Sequence, residues 1–298
     1  MTNQIDLHKL LTLHYVYPLP FHKFQRLQQY ISTLDQLAEF PSPQLATILN
    51  LTVANARALK EHYLRMLEVP LAEHYALEGI SPVPFTSEFY PKKLLQLIDP
   101  PTVLYAKGDI SLLQKPKKIA VIGSRQATNY TAEALQLLLP PLIEHDYVIV
   151  SGLAKGADSL AHKAAIFYGG KTIGILGHGF FHLYPKENKQ LAEEMAQHHL
   201  LLTEYPPYVS VKKWHFPMRN RIISGISDAL VVTEAALKSG TLITTEHALD
   251  HGKDVFVVPG PITSEQSKGT NKILKEGAIP VWNGYQIIDE MQMFSSFS

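Results

Sequence analysis

From Lys117 onward the sequence repeats one unit: a short, unbroken apolar run, a glycine turn, then a helical stretch. The apolar runs lie in KKIAVIGSR, YVIVSGLAKGAD, KTIGILGHG, LLLTEYPP, DALVVTEAA and DVFVVPGPI, with helical segments such as TAEALQLLLPPLIEH and LITTEHALDHG between them. A strand that is apolar at every position is buried on both faces, so helices must cover both sides of its sheet. The pattern predicts an α/β fold over residues 77–285: an extended Rossmann-like, doubly wound, mostly parallel sheet of roughly six or more strands with right-handed crossovers. Its proline-rich beginning, residues 77–116, holds one strand and turn, TVLYAKGD, and is expected to pack onto the sheet as an extension.

Ahead of it, leucines and aromatics recur at three- and four-residue steps, as in FHKFQRLQQYISTLDQLAEF, with no strand-like run. This predicts a small all-helical domain over residues 1–70, ending near Val69-Pro70. Residues 286–298 are expected to form a C-terminal tail, of which the last residues, QMFSSFS, look like a frayed end.

Acidic and basic residues balance at 27 each, so any polyanion must be met by a local patch rather than by net charge. The chain has no cysteine, which removes disulfide and thiolate chemistry and suits a reducing cytoplasm. The N-terminus lacks the basic and apolar regions of a signal peptide, and no apolar run is long enough for a membrane span.

Ligands of doubly wound sheets bind beyond the carboxyl ends of the strands. Gly123-Ser124-Arg125, Gly152 to Asp158, Gly177-His178-Gly179 with Tyr184-Pro185-Lys186, and Lys238-Ser239-Gly240-Thr241 all fall there. Each is a strand-to-helix turn whose free N–H groups suit a phosphate. Taken singly, such turns are ordinary α/β punctuation. The first turn, GSRQAT, lacks the G-x-G-x-x-G of a dinucleotide site, and no Walker A loop occurs; no cofactor and no metal are expected. The cations Arg125, Lys155, Lys186, Lys213, Arg219 and Arg221 would instead converge on one rim as a phosphate track. KKWHFPMRNR, residues 212–221, adds aromatic faces for bases and contains no acid. Taken alone, Trp214 fits a core position better than a binding one.

Catalytic signals are sparse. Ser124 and Ser151 have no nucleophile elbow. His162 near Asp158 is more readily a helix brace than an acid–base pair, and the glycine turn in HGFFH separates His178 from His182. Glu234 and Glu246 flank the SGT turn, where a carboxylate could promote glycosidic cleavage of a nucleotide.

VIGSR, VSGLAKGAD, LGHGFFHLYPKEN, HFPMRNRIISG, VVTEAALKSGTLITTEHALDHGKDVFVVPG and KGTNKILKEGA follow in order from about residue 119 to 278. Together they resemble the DNA-processing protein A family (DprA/Smf). The resemblance implies an extended Rossmann domain that binds and protects single-stranded DNA in natural transformation and loads a RecA-type recombinase onto it. A single-strand-binding protein is expected as a further partner, the helical N-terminal segment looks like the family's SAM-like or helix-hairpin-helix-like domain, and no enzymatic activity is implied. Carried onto matching positions, the DNA site comprises Ser124, Arg125, Lys186, Lys213, Phe216, Arg219, Asn220 and Arg221, with Lys155, Ser239, Gly240 and Thr241 following less directly. There are departures. Ala154 stands where the family usually shows isoleucine, and Trp214 replaces a commoner smaller aromatic. Many members continue into a winged-helix-like domain, whose contribution is expected to be missing here. The rival is a phosphoribohydrolase of the lysine-decarboxylase-like type; its P-G-G-x-G-T turn would fall at LKSGT, which lacks the double glycine.

A homodimer is expected through GTNKILKEGAIPVW, where the resemblance also points. Ile273 and Leu274 lie about 100° apart on a helix, so one faces the sheet and the other the surface. Asn271 shares the Leu274 face, and Pro280 suits an edge strand.

Overall fold

The computed structural model describes residues 6–295. Among the described residues five α-helices come first: α1 (Leu7–Val16), α2 (Phe21–Gln28), α3 (Ser42–Leu49), α4 (Val53–Met66) and α5 (Leu71–Leu77). Asp6 and Thr52 cap α1 and α4 by accepting from Lys9 N and Asn55 N. Leucines of these helices close on one core with Phe24, Tyr63 and Tyr75. The helical part runs past the expected end at Val69-Pro70. Pro70 precedes α5 rather than stopping the helices, a position where its missing N–H costs nothing, and Leu71 and Tyr75 are buried.

Among the described residues the sheet has nine strands: β1 (Ile80–Pro84), β2 (Val103–Gly108), β3 (Lys118–Ile122), β4 (Val148–Gly152), β5 (Thr172–Ile175), β6 (Leu200–Thr203), β7 (Ala229–Val232), β8 (Asp254–Val257) and β9 (Ile279–Pro280). Between them run α6 (Asn129–Glu144), α7 (Ala157–Phe167), α8 (Lys189–His198), α9 (His215–Ile226), α10 (Gly240–Asp250) and α11 (Lys268–Lys275), and α12 (Gly284–Ser295) closes the described chain. The spatial order is β1-β2-β6-β5-β4-β3-β7-β8-β9. β3 to β9 are parallel; β2 is antiparallel to β6 and β1 to β2. The proline-rich extension thus supplies two edge strands. Their Ile80, Val103 and Tyr105 join the core of the helical part, and the Thr102 hydroxyl donates to the Leu19 carbonyl at 2.6 Å.

From β3 the chain steps outward through β4, β5 and β6, then returns to lay β7 on the other side of β3. The turns after β3 and β7 therefore diverge, which is the switch point where such sheets open a crevice. The tail expected from residue 286 is helix α12 through Ser295, and the last three residues of QMFSSFS, 296–298, lie outside the described residues. Ile287 and Ile288 on α12 are buried against the α6 side of the sheet with Val281. The apolar pair Ile287-Ile288, three residues after Gly284, was the signal for a covered helix. Among the described residues no helix is long and apolar enough to cross a membrane.

Candidate nucleic-acid interface

Two adjoining hollows open at the switch point, of about 630 and 670 Å³. They share Arg125, Gln126, Ala154, Tyr184, Phe216 and Arg219. The first adds Lys155, Lys186 and an apolar floor of Leu153, Ile175 and Leu176; the second adds Ser124, Lys213, Asn220, Lys238 and the start of α10.

Close contacts between turns shape this crevice. Gly156 has φ of +84°, and a Cβ there would overlap the carbonyls of Ser124 and Arg125, so only glycine lets the turn after β4 lie on the turn after β3. Ser124 is 6% exposed; its N–H donates to the Glu234 carbonyl at 2.7 Å and its Oγ accepts from Gln126 N at 3.0 Å. At α10, Ser239 Oγ accepts from Thr241 N at 3.2 Å and donates to Thr241 Oγ1 at 2.8 Å, while Gly240 leaves open space beside the backbone. A helix N-terminus with such access favours an anion.

On α9 the cleft face follows helical spacing: Phe216, Arg219, Asn220 and Ile223 all line the second hollow. The Phe216 ring lies 5.2 Å from the Arg125 guanidinium and 5.9 Å from the Tyr184 ring. Arg125, Lys155, Lys186, Lys213 and Lys238 are exposed, and among the described residues none of them pairs with a carboxylate within 4 Å.

Arg219 differs from them. It is 5% exposed, donates through Nη1 to the Ile175 carbonyl at 2.7 Å, and holds Nη2 3.8 Å from Asp158. Asp158 also accepts from Ala154 N at 3.4 Å. Burial pushes the Asp158 carboxyl up from its ordinary value and the Arg219 guanidinium down, and each partner draws the other back toward its charged form. A Cβ at Gly152 would overlap the guanidinium, so the strand end is glycine because the arginine fills that space. Arg219 is the shared floor of both hollows and is already committed to protein partners.

Eleven of the twelve residues expected at the DNA site line the two hollows. The exception is Arg221. It pairs with Glu204 away from the cleft, because two residues along a helix turn the side chain by about 200°. Trp214 corrects the expectation in the other direction: it is 58% exposed, not core. Tyr184, Gln126, His178 and Lys238 line the cleft but were not among the expected contacts. Tyr184 stood in view as the first residue of the YPK turn.

The catalytic alternatives find other partners. The buried Glu234 carboxylate accepts from Thr128 N at 2.7 Å, Thr128 Oγ1 at 2.9 Å and Thr131 Oγ1 at 2.7 Å, and neither it nor Glu246 lines either hollow. His162 has no exposure; its Nδ1 is 2.6 Å from Thr172 Oγ1 and its Nε2 is 2.5 Å from the Gly152 carbonyl, so it braces β4 against β5, and burial lowers its pKa to about 4. His178 bonds within its own loop, to the carbonyls of Gly179 and Tyr184, while His182 reaches the Tyr208 carbonyl.

Fold and crevice together define a Rossmann-like α/β protein whose switch point offers cations, a helix N-terminus and aromatic faces to an anionic ligand that carries rings. The family model described as DNA recombination-mediator protein A matches residues 82–292, and the chain belongs to that family. It is 43% identical over 260 residues to the DNA processing protein DprA of Bacillus subtilis, covering 86% of this chain and 87% of the relative. The X-ray structure of DprA from Streptococcus pneumoniae superposes with a TM-score of 0.83 at 34% identity, covering 96% of this chain and 99% of that one. A Helicobacter pylori DprA structure, described as showing a single-stranded DNA binding mode, matches with a TM-score of 0.65 at 33% identity, over 72% of this chain and 96% of that one.

Proposed function

We propose that the cleft binds single-stranded DNA without strong sequence preference, and that the protein protects such strands and hands them to a RecA-type recombinase, with a single-strand-binding protein as a further partner. The observation that carries the reading is the Phe216 ring on the wall common to both hollows, 5.2 Å from the Arg125 guanidinium and 5.9 Å from the Tyr184 ring. A ring at that place meets base faces, which only an unpaired strand presents, while the exposed cations around it meet the backbone. The Helicobacter pylori relative's single-stranded DNA binding mode supports the same substrate. The phosphoribohydrolase reading has less support, since Glu234 is occupied by three donors and stands outside both hollows.

Phe216→Ala is expected to weaken single-strand binding by about 1–3 kcal/mol, roughly 5- to 150-fold, with the slope of log affinity against log salt unchanged, because stacking releases no counterions. Oligonucleotide titrations at several salt concentrations check this. Unchanged affinity in a folded Phe216→Ala protein would remove the ring from the site.

The reading includes a homodimer through α11 and β9. Ile273 is buried, Leu274 is half-buried beside the same core, and Pro280 is exposed on an edge strand. Asn271 is engaged within the chain, where its Nδ2 donates to the Gly260 carbonyl at 3.2 Å. It would thus shape the surface rather than reach across it. Leu274→Glu is expected to yield a folded monomer whose affinity for long strands falls through lost effective concentration. Light scattering at micromolar concentration decides, and a parent that is already monomeric would end the dimer proposal.

A further inference from the structure

Large side chains left in water gather on two loops beside the cleft. Phe181 on the segment after β5 is 55% exposed; Tyr208 and Trp214, on the segment between β6 and α9, are 39% and 58% exposed. Neither Phe181 nor Tyr208 nor Trp214 lines a hollow. The loops are laced together: Gly179 N donates to the Val209 carbonyl at 2.8 Å, Phe181 N to the Pro207 carbonyl at 2.9 Å, and His182 Nε2 lies 2.9 Å from the Tyr208 carbonyl. They run so close that a Cβ at Gly179 would overlap the carbonyls of Pro206 and Pro207. Their outer end is fixed to the helical part of the chain. The Tyr208 hydroxyl donates to the Tyr15 carbonyl, and the two rings sit 4.6 Å apart.

Charge runs the same way. Residues 176–186 and 205–214 contain no acid, and they carry Lys186, Lys212, Lys213 and His182. Lys212 Nζ stands 5.8 Å from the Trp214 ring centroid. The inner ends of both loops are cleft wall: Gly177, His178, Tyr184 and Lys186 from the first, Lys213 from the second. Exposed apolar surface of this kind marks a binding face, and this one adjoins the cleft and itself carries cations without an acid, the nearest cleft carboxylate being Glu187 beside Lys186.

We infer that the two loops form an outer track on which single-stranded DNA continues as it leaves the cleft, with Phe181 and Trp214 receiving bases and Lys212 a phosphate between them. Tyr208 is the positioning residue that holds the track on the helical part. This rests on the reading of the cleft as a single-strand site, and oligonucleotide length separates the two. A short oligomer, about 4 nucleotides, fills the cleft alone, and one of about 16 nucleotides also covers the track.

The experiment titrates labelled oligo-dT of both lengths against the parent and the Phe181→Ala/Trp214→Ala double variant, with Tyr208→Phe as a second variant that keeps the ring and loses only the hydroxyl. Both removed rings are exposed, so the fold is expected to persist, as circular dichroism and melting will show. The double variant should lose about tenfold or more on the long oligomer, with short-oligomer affinity and salt slope unchanged. Tyr208→Phe should show a smaller loss confined to the long oligomer. Parent-like binding of both lengths by the double variant would overturn the track and assign these rings to a protein partner. An equal loss on both lengths would overturn it too, placing the rings in the cleft itself. A parent that binds neither length overturns the cleft reading and the track with it.

Discussion

Arg219→Ala is expected to destabilise the protein by about 3–5 kcal/mol, the range for removing one partner of a buried ion pair. The guanidinium is buried, satisfies the Ile175 carbonyl and faces Asp158, which has 7% exposure and lies on α7. Without it a buried carboxylate loses its cation and a strand-end carbonyl loses this donor, beside the space that Gly152 leaves for the arginine. Arg219→Lys should recover little, because an ammonium cannot span both partners as the planar fork does. The deficit should depend on pH. Burial already holds the Asp158 pKa above its ordinary 3.8, and loss of Arg219 removes an opposing influence. A carboxyl whose folded pKa is raised stabilises the fold below the unfolded value and loses that contribution as pH rises through the folded one. Arg219→Ala should therefore lie nearest the parent in acid and fall away above the ordinary carboxylate range. Urea unfolding across pH, with Asp158→Asn added to the variant, measures this; Asp158→Asn should restore part of the lost stability. A parent-like unfolding midpoint for Arg219→Ala at neutral pH would show that the floor does not depend on the pair.

Removing Arg125 and Lys186 together is expected to lower single-strand affinity about 100-fold at moderate salt while leaving the melting temperature near the parent's. Both side chains are exposed on turns, so little packing is lost. A hydrogen bond to a charged group contributes about 1.5–3 kcal/mol when desolvated. At an open crevice about tenfold for each cation is the appropriate scale, and the salt slope should shrink by about 0.7 for each phosphate contact removed. Arg125 should be the larger loss, because it also faces the Phe216 ring at 5.2 Å. Affinity unchanged in a stable double variant would place the strand elsewhere.

Much of this architecture was legible in one sequence because fully buried parallel strands leave a strong signal. KIAVI, VIVSG and ALVV are apolar at almost every position, and the turns after them must lie at one end of the sheet. The cleft followed from that topology together with the cations in the turns. What sequence could not resolve was the direction of individual side chains. Arg219 and Arg221 look alike in RNR, yet one underlies the cleft and the other pairs with Glu204, since the helix register around Phe216 decides it. Trp214 looks like core by residue type, but it precedes the first turn of α9 and projects outward while His215 turns in to stack on Tyr205 with ring centroids 4.0 Å apart. α12 reads as a mere tail in the sequence because nothing local shows that α6 covers Ile287 and Ile288. The loop-to-loop contacts that build the outer track join residues far apart in sequence, and no local pattern encodes them.

In the proposed single-strand site at the switch-point cleft, cations hold the backbone and Phe216 meets a base. The most direct test titrates the parent protein with single-stranded and duplex oligonucleotides of equal length over a range of salt. Clear preference for the single strand is expected at every salt concentration, with log affinity falling linearly with log salt at about −0.7 for each phosphate neutralised. Equal affinity for single strand and duplex at moderate salt, or binding that does not respond to salt, would contradict it.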